Sequence, residues 1–196
     1  MPGVRAVILF IHGFGSCGWG NKSLALRRRF GVRHLIAPDL CFTPEAAIVQ
    51  LGSLIRRYRV GAMIGSSLGG YYATRLNAEY ALPSVLLNPV VRPHALLAAH
   101  RGAQRRWCDD ARFEVDDAYV KQLAGMQRAH LAPAERYLVM IEQGDELLDH
   151  REAADFYAGQ DVVEIPDGDH RFSDIERHLE AIALWLAEHA PGAARD

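Results

Sequence analysis

The sequence of 196 residues predicts a three-layer α/β protein, in which a mostly parallel sheet of about six strands is flanked by helices. Three observations lead to this prediction. Apolar runs of strand length recur along the chain, helical patterns alternate with them, and the runs are apolar almost throughout. Continuous apolarity is typical of parallel strands that are covered on both faces. We expect one domain over residues 1–196, because a chain of this length builds a single core.

The predicted strands are short and each ends in turn or polar residues. They cover residues 4–11, 34–37, 60–65, 84–88, 137–142 and 160–165. Between them, the segment 43–58 opens with Thr43 as a helix cap and Pro44 at the first helical position, and its apolar residues fall on one stripe. A second clear helix is predicted over 173–190. Strands that alternate with helices imply right-handed crossovers.

One segment, residues 90–135, interrupts this alternation. It separates two predicted strands and contains helical stretches such as residues 116–127, but no clear strand. We expect a small helical insertion that acts as a lid or wall over a site. A long crossover that merely covers the sheet is the equally weighted alternative. The C-terminal tail, residues 191–196, is expected to be frayed.

Charge and cysteine usage restrict the partners and the location of the chain. The net charge is −2, which offers no footprint for nucleic acid or for an anionic membrane. No apolar run approaches the roughly 20 residues that span a bilayer, and the N-terminus lacks the features of a signal peptide.

The three cysteines, Cys17, Cys41 and Cys108, are odd in number and form no C-x-x-C pair. We therefore expect reduced thiols and a cytoplasmic location. The sequence does not predict the oligomeric state.

The most informative motif is Gly-Ser-Ser-Leu-Gly at residues 65–69, which reads G-x-S-x-G between a predicted strand and a helix. This is the context of a nucleophile elbow, a turn so sharp that glycines are needed on both sides of the central residue. The turn would raise the hydroxyl of Ser67 above the sheet. It would also place the backbone N–H of Leu68 at a helix N-terminus, where developing negative charge is stabilised. A glycine-rich structural turn is the alternative.

A serine hydroxyl needs a base to accept its proton, so the elbow predicts an acid and a histidine after later strands. Asp145 follows the strand 137–142, and His170 follows the strand 160–165. The order Ser67, Asp145, His170 is that of the α/β-hydrolase fold. His170 would act as the base, and Asp145 would fix its tautomer. Glu146, in the same loop as Asp145, is the alternative acid.

A second glycine-rich stretch, residues 10–20, follows the first predicted strand. Its G-x-G-x-x-G spacing, with Asp39 about 20 residues on, also fits a dinucleotide site. However, Gly18 is followed by poor helix formers, whereas the third glycine of a dinucleotide site lies inside a helix. We favour a loop that supplies a second oxyanion donor, the backbone N–H of Phe14. His12 would then brace this loop by hydrogen bonding.

Together, the segments LFIHGFGS, GSSLGGYYATRL, LPSVLLNPVVRP, QGDELLDHREAADFYAG and DGDHRF resemble the YqiA-like esterases, which are small bacterial cytosolic α/β-hydrolases. The resemblance spans about residues 7–172. It implies a serine esterase that acts on small-molecule acyl esters, or also on acyl-CoA thioesters. It carries Ser67, Asp145 and His170 over as the catalytic triad. It departs over residues 100–135, where an acyl pocket would be shaped.

Arg92, in the NPVVRP segment, should lie near the site because it follows the strand after the elbow. It is a candidate to bind an anionic group of a substrate, and the favoured alternative is an ion pair that braces the loop. The predicted chemistry needs no metal and no cofactor. The competing class is a non-catalytic α/β-hydrolase-fold protein that binds a ligand or partner, and within enzymes a serine peptidase or a thioesterase stays open.

Overall fold

A computed structural model describes residues 7–190 of the chain. The first three positions of the predicted first strand, residues 4–6, lie outside the described residues. So does the tail 191–196, for which fraying was predicted. No helix within the described part is long and apolar enough to cross a membrane.

Six parallel strands form the main sheet, in the spatial order β2-β1-β3-β4-β7-β8. They are β1 Val7–Ile11, β2 Leu35–Ile36, β3 Val60–Ser66, β4 Ser84–Leu87, β7 Tyr137–Glu142 and β8 Asp161–Ile165. All five pairings between neighbours are parallel. The sheet therefore confirms the predicted fold class and the number of strands.

Seven helices accompany the sheet in the described residues. They are α1 Asn21–Phe30, α2 Pro44–Tyr58, α3 Leu68–Tyr80, α4 Pro93–Ala98, α5 Asp117–Gly125, α6 His150–Phe156 and α7 Leu179–His189. A 3-10 turn, Ile175–His178, precedes α7, so the predicted helix over 173–190 is divided into two pieces. Helices α1 and α7 cover one face of the sheet, and α2, α3 and α6 cover the other.

The continuous apolarity of the strands follows from this arrangement. In β1, Ile8 and Phe10 pack in the core under α1 and α7, whereas Leu9 and Ile11 pack in the core under α2 and α3. Successive side chains of a strand point to opposite faces, and both faces are buried here. A polar residue at any of these positions would lose its hydration without gaining a partner.

The insertion over 90–135 differs from the prediction. Besides α4 and α5 it contains two antiparallel strands, β5 Gly102–Arg105 and β6 Arg112–Val115, so the expectation of a helical segment without strands is wrong. Only Val115 is buried, while the other positions alternate between exposed and half-buried. β5 has no apolar alternation, and β6 alternates over only four residues, so neither strand gives a strong signal in the sequence.

The cysteines also differ from the prediction. Cys17 and Cys108 form a disulfide, with their Cα atoms 6.4 Å apart, and Cys41 is a free, exposed thiol. The expectation of three reduced thiols is therefore wrong for two of them. The two partners are 91 residues apart in sequence. Only the turn between β5 and β6, which folds back towards the loop after β1, brings them together, and the spacing of the cysteines does not encode that contact.

Candidate active site

Three side chains from three strand ends form one chain of hydrogen bonds. The Ser67 Oγ lies 3.0 Å from Nε2 of His170, and Nδ1 of the same ring lies 2.8 Å from Oδ2 of Asp145. When Nδ1 carries the proton and donates it to the carboxylate, Nε2 accepts from the serine hydroxyl. The structure thus brings together the three residues that the sequence predicts for a catalytic triad.

The turn after β3 holds Ser67 in an unusual backbone conformation, with φ 54° and ψ −118°. Its flanking glycines are sterically required. A Cβ on Gly65 would lie 2.5 Å from the carbonyl oxygen of Gly69, and a Cβ on Gly69 would lie 2.0 Å from that of Ile11. The Ser67 N–H donates to the carbonyl of Leu87 in β4 at 3.0 Å, which fixes the turn against the sheet. Such strain persists only where the surroundings hold it.

Two carboxylates of the loop after β7, those of Asp145 and Glu146, contact different parts of His170. The side chain of Asp145 is 2% exposed, and its Oδ1 accepts the backbone N–H groups of Leu147 and Leu148, each at 2.8 Å. Its other oxygen therefore faces the ring of His170. Glu146 instead accepts the backbone N–H of His170 at 2.9 Å. The geometry thus favours Asp145 over Glu146 as the partner of the imidazole.

Two further residues hold the histidine loop, and the sequence analysis missed both. The Asn88 side chain accepts the N–H of Glu142 at 2.8 Å and donates to the carbonyl of Asp169 at 3.0 Å. The Glu142 carboxyl accepts the N–H of Asp169 at 3.0 Å. Asn88 and Glu142 therefore hold in place the backbone of Asp169, the residue before His170.

Glu142 is buried, with 2% of its surface exposed, at the last position of β7. Burial is the main cause that raises the pKa of its carboxyl above the ordinary value, while the hydrogen bond from Asp169 opposes the shift. The loop makes room for it at Gly168, where a Cβ would lie 2.5 Å from the Glu142 carboxyl carbon. A carboxylate at the end of an otherwise apolar strand is the sequence signal that would have found this residue.

The glycine-rich loop after β1 is held by side chains of its neighbours. Nε2 of His12 accepts the N–H of Leu40 at 3.1 Å, and Nδ1 contacts the carbonyl of Gly13 at 2.9 Å. Burial lowers the pKa of His12, so the ring stays neutral at pH 7 and can both donate and accept. His12 thus braces the loop, as the sequence predicts.

The residues that the G-x-G-x-x-G alternative would use are engaged within the loop itself. The Asp39 carboxylate accepts the N–H of Gly18 at 2.8 Å. A Cβ on Gly18 would lie 2.1 Å from the carbonyl of Ala37, so this glycine is needed for packing against the segment after β2. Asp39 and Gly18 therefore serve the loop itself.

A cleft opens beside the nucleophile. It is lined by His12, Gly13, Phe14, Gly15, Ser16, Leu40, Cys41, Phe42, Leu68, Tyr72, Arg106, Phe113 and Tyr119. Both predicted oxyanion residues, Phe14 and Leu68, border it. Leu68 is the first residue of α3, and the first N–H groups of a helix have no partner within the helix. A Cβ on Gly13 would lie 3.2 Å from that of Ser67, so the loop packs directly against the nucleophile.

The outer part of the cleft is aromatic. The rings of Phe42 and Phe113 stack with centroids 5.0 Å apart, and Phe113 meets Phe14 edge to face at 5.3 Å. Burial raises the pKa of Tyr72 and raises the pKa of Tyr119 to about 12, so both hydroxyls stay protonated at neutral pH. This lining suits an apolar group. Because the β5–β6 turn and β6 contribute to it, the insertion forms a wall of the cleft.

Arg92 lies just before α4, and its guanidinium is paired with the carboxylate of Glu152 in α6. This ion pair matches the alternative in which the arginine braces its loop. Its role in substrate binding stays an untested prediction, and we assign it none. Within residues 7–190, no group of three or more His, Cys, Asp or Glu side chains is placed to hold a metal ion.

The sheet order, the strained turn after β3 and the placement of Asp145 and His170 after β7 and β8 define the class: the chain has the α/β-hydrolase fold. Within that class, it belongs to the family described as Uncharacterised protein family (UPF0227), whose model matches residues 7–187. This match confirms the resemblance to the YqiA-like proteins.

A curated relative agrees with the family assignment, and solved structures agree with the fold. A UPF0227 protein of Yersinia pseudotuberculosis is 24% identical over 192 residues, covering 91% of this chain and 98% of the relative. A putative hydrolase from Agrobacterium vitis superposes with a TM-score of 0.73 at 18% identity, covering 93% of this chain and 88% of that one. Est1E from Butyrivibrio proteoclasticus gives a TM-score of 0.72 at 15% identity, covering 96% and 89%.

Proposed function

We propose that this chain is a serine hydrolase that cleaves carboxylic esters of small molecules through an acyl-serine intermediate. The observation that carries the proposal is the hydrogen-bond chain from the Ser67 hydroxyl through His170 to Asp145, with distances of 3.0 and 2.8 Å. A purely structural turn would not need a strained serine within hydrogen-bond distance of an imidazole whose other nitrogen contacts a buried carboxylate.

The geometry supports the following steps. Ser67 Oγ attacks the ester carbonyl carbon while its proton passes to Nε2 of His170. The carbonyl oxygen becomes an oxyanion, which the backbone N–H groups of Leu68 and Phe14 stabilise, each worth on the order of 3 kcal/mol. His170 then returns the proton to the leaving alkoxide oxygen, and the alcohol departs.

Deacylation follows the same steps, with water as the nucleophile. His170 takes a proton from a water molecule, the hydroxide oxygen attacks the acyl-serine carbonyl, and the acid is released as Ser67 recovers its proton. Asp145 stabilises the imidazolium in both halves and keeps its Nδ1 proton in place. The aromatic cleft beside the oxyanion residues would receive the acyl group.

The same chemistry applies to thioesters, so acyl-CoA remains within the proposal as a second substrate class. The cytoplasmic location predicted from the sequence belongs here too, as a proposal. The names of the solved neighbours, among them the esterase domain of a Rhodothermus marinus protein with a TM-score of 0.65 at 17% identity, covering 94% of this chain and 88% of that one, are consistent with ester hydrolysis.

The test uses p-nitrophenyl butyrate and a fluorophosphonate probe on the wild type, Ser67→Ala and Ser66→Ala. Ser66 is the buried neighbour in β3, so its variant is a matched control. We expect Ser67→Ala to lose at least about 10³-fold in kcat/KM and all probe labelling. Ser66→Ala should keep both. Equal hydrolysis by the wild type and Ser67→Ala would refute the mechanism, and a folded wild type that neither labels nor hydrolyses would favour a non-catalytic binder.

A further inference from the structure

The turn of the insertion's hairpin is fastened to the oxyanion loop. We define the hairpin as residues 102–115 and its tip as residues 106–111. At the tip, Cys108 is disulfide-bonded to Cys17, and the N–H of Trp107 donates to the carbonyl of Gly15 at 2.8 Å. Gly15 has φ +62°, and a Cβ there would lie 3.0 Å from the indole nitrogen of Trp107. The loop and the tip therefore pack closely as well as being cross-linked.

The hairpin is also the outer wall of the cleft. Phe113, from β6, stacks on Phe42 and meets Phe14 edge to face, and the guanidinium of Arg106 lies 5.2 Å from the centroid of the Phe42 ring. Arg106 is ion-paired with Asp109 within the tip. An acyl group in the cleft would thus contact side chains whose position depends on the hairpin.

The two ends of the hairpin are anchored differently. At its base, Val115 is fully buried, and Tyr119 of the following α5 is 4% exposed, so core packing holds this end. At its tip, Trp107 is 79% exposed. Besides the packing of Trp107 against Gly15 and of Arg106 against Phe42, the tip is held to the loop by the disulfide and by the hydrogen bond from the Trp107 N–H. The bridge is therefore the strongest restraint on the tip.

The oxyanion loop, in contrast, does not depend on the bridge alone. His12 ties its start to Leu40, and Asp39 ties its far end at Gly18. Opening the disulfide should therefore free the wall of the cleft more than the donors of the oxyanion hole. This difference separates an effect on substrate binding from an effect on the chemical step.

We propose that the Cys17–Cys108 disulfide positions the hairpin as the acyl-binding wall, so that substrate affinity depends on the redox state of this pair. The inference rests on the proposed esterase function. In the oxidised protein the hairpin is held against the cleft, and it favours binding of acyl groups long enough to contact it. In the reduced protein the wall is loose, and the preference for longer acyl groups falls.

The redox step requires a dithiol reductant. One thiolate of the reductant attacks the sulfur of Cys108, the partly exposed partner, because Cys17 is buried. Cys17 leaves as a thiolate and is protonated. The second thiol of the reductant then resolves the mixed disulfide and releases Cys108. In total, the bridge gains two electrons and two protons, and the reductant becomes a disulfide. A thiol-reducing cytoplasm would hold the pair open until conditions become oxidising.

The experiment compares oxidised and dithiothreitol-reduced protein in a Cys41→Ser background, which removes the free exposed thiol. KM and kcat are measured on p-nitrophenyl acetate and p-nitrophenyl butyrate. Each buried methylene is worth about fourfold in affinity, so reduction should raise KM for the butyrate by about fivefold, with less than about a twofold change for the acetate. The value of kcat should change little. The double variant Cys17→Ser/Cys108→Ser should have the KM values of the reduced protein, and dithiothreitol should not change them.

A second readout does not depend on catalysis. The hairpin and the residue before it contain four arginines, Arg101, Arg105, Arg106 and Arg112, so trypsin reports on its opening. We expect cleavage in this segment to be about tenfold faster after reduction and equally fast in the double variant. Thiol titration of the unfolded wild type, after oxidation of the folded protein and without added reductant, should find one free thiol.

Three free thiols in that titration would overturn the proposal, and so would equal KM values together with equal trypsin cleavage in the two redox states. Failure of the proposed esterase function is distinguishable, because it would appear as the absence of Ser67-dependent hydrolysis in both states. In that case the trypsin comparison still decides whether the disulfide holds the hairpin in place.

Discussion

His170 presents Nε2 to the Ser67 hydroxyl at 3.0 Å, although 103 residues separate the two in sequence. The contact depends on several independent restraints. The elbow fixes the serine from below, Asp145 and Glu146 hold the ring and backbone of the histidine, and Asn88 with Glu142 hold the residue before it. Each restraint can be removed separately, and the expected consequences differ.

The two neighbouring carboxylates should respond very differently to loss of charge. Asp145→Asn leaves the size unchanged but cannot hold the imidazolium or its tautomer, so we expect kcat to fall by about 10³–10⁴-fold. Glu146→Gln keeps an oxygen that can accept the backbone N–H of His170, so kcat should change by less than about tenfold. Steady-state kinetics on p-nitrophenyl butyrate measures both. A larger loss in the Glu146 variant would move the role of the acid to that residue.

The close approach of the oxyanion loop to the nucleophile should be sensitive to a single methyl group. In Gly13→Ala, the new Cβ would lie 3.2 Å from the Cβ of Ser67 and 3.3 Å from the carbonyl oxygen of Ser66, so the loop must move away. Loss of one oxyanion donor costs about 10²–10³-fold in kcat, and partial displacement should cost about tenfold or more.

Gly20→Ala is the control for that change in the same loop. A Cβ there meets nothing closer than 3.7 Å, and its backbone φ of −69° suits any residue. We expect kcat and KM to be unchanged within about twofold. Equal effects of the two substitutions would show that the position of the loop against Ser67 does not control the rate.

The neutral state of His12 should make stability depend on pH. Its pKa is lowered in the folded protein by burial, from 6.5, so the unfolded chain binds the proton more readily. The free energy of unfolding should therefore fall as the pH drops below about 6.5 through the folded value, and should level off once both states are protonated. Protonation also removes the acceptor for the Leu40 N–H.

His12→Gln is the reference for this prediction, because its amide oxygen can accept the same N–H and does not titrate. The difference in unfolding free energy between the wild type and the variant should shrink or reverse between about pH 6.5 and pH 5. Urea unfolding at several pH values gives this difference. Parallel curves over that range would mean that His12 does not contribute to the acid sensitivity.

Removal of Glu142 should distinguish its hydrogen bond from its charge. Glu142→Ala leaves the Asp169 N–H without its acceptor, which should cost about 1–3 kcal/mol in stability and lower kcat by loosening the histidine loop. Glu142→Gln keeps the acceptor, so kcat should stay within about threefold of the wild type. Thermal unfolding and single-turnover kinetics measure the two effects.

The raised pKa of Glu142 adds a pH signature. The folded protein holds this proton more tightly than the unfolded chain, so the stabilisation that comes from the protonated carboxyl is present at low pH. It is lost as the pH rises from about 4.5 through the folded value. The Gln variant should not show this loss. If its unfolding free energy follows the same slope as the wild type, the carboxyl titrates normally.

The sequence predicts the parts of this molecule that are governed by local patterns. The strand 137–142 is found at these limits, because an apolar run between polar turns leaves little choice of structure. Ser67, Asp145 and His170 could be selected together because parallel strands place their carboxyl ends at one edge of the sheet, and because the elbow requires glycines at fixed positions.

The rest depends on contacts between distant segments. Asn88 acts through hydrogen bonds to the backbone of Glu142 and of the histidine loop, which no spacing in the sequence reveals. β5 carries polar residues on both faces and β6 alternates over only four residues, and the Cys17–Cys108 pair is closed only by the path of that hairpin. These features follow from tertiary packing, which overrides the local signal.

The order of the sheet leaves β2 and β8 as its two outer strands, and their character bears on self-association. Only two residues of β2 pair with β1, so this edge offers few free backbone groups to another molecule. The opposite edge, β8, carries Asp161 and Glu164, both exposed. Short or charged borders of this kind discourage the lateral addition of a second sheet. Concentrated samples should therefore resist cross-β aggregation through either margin.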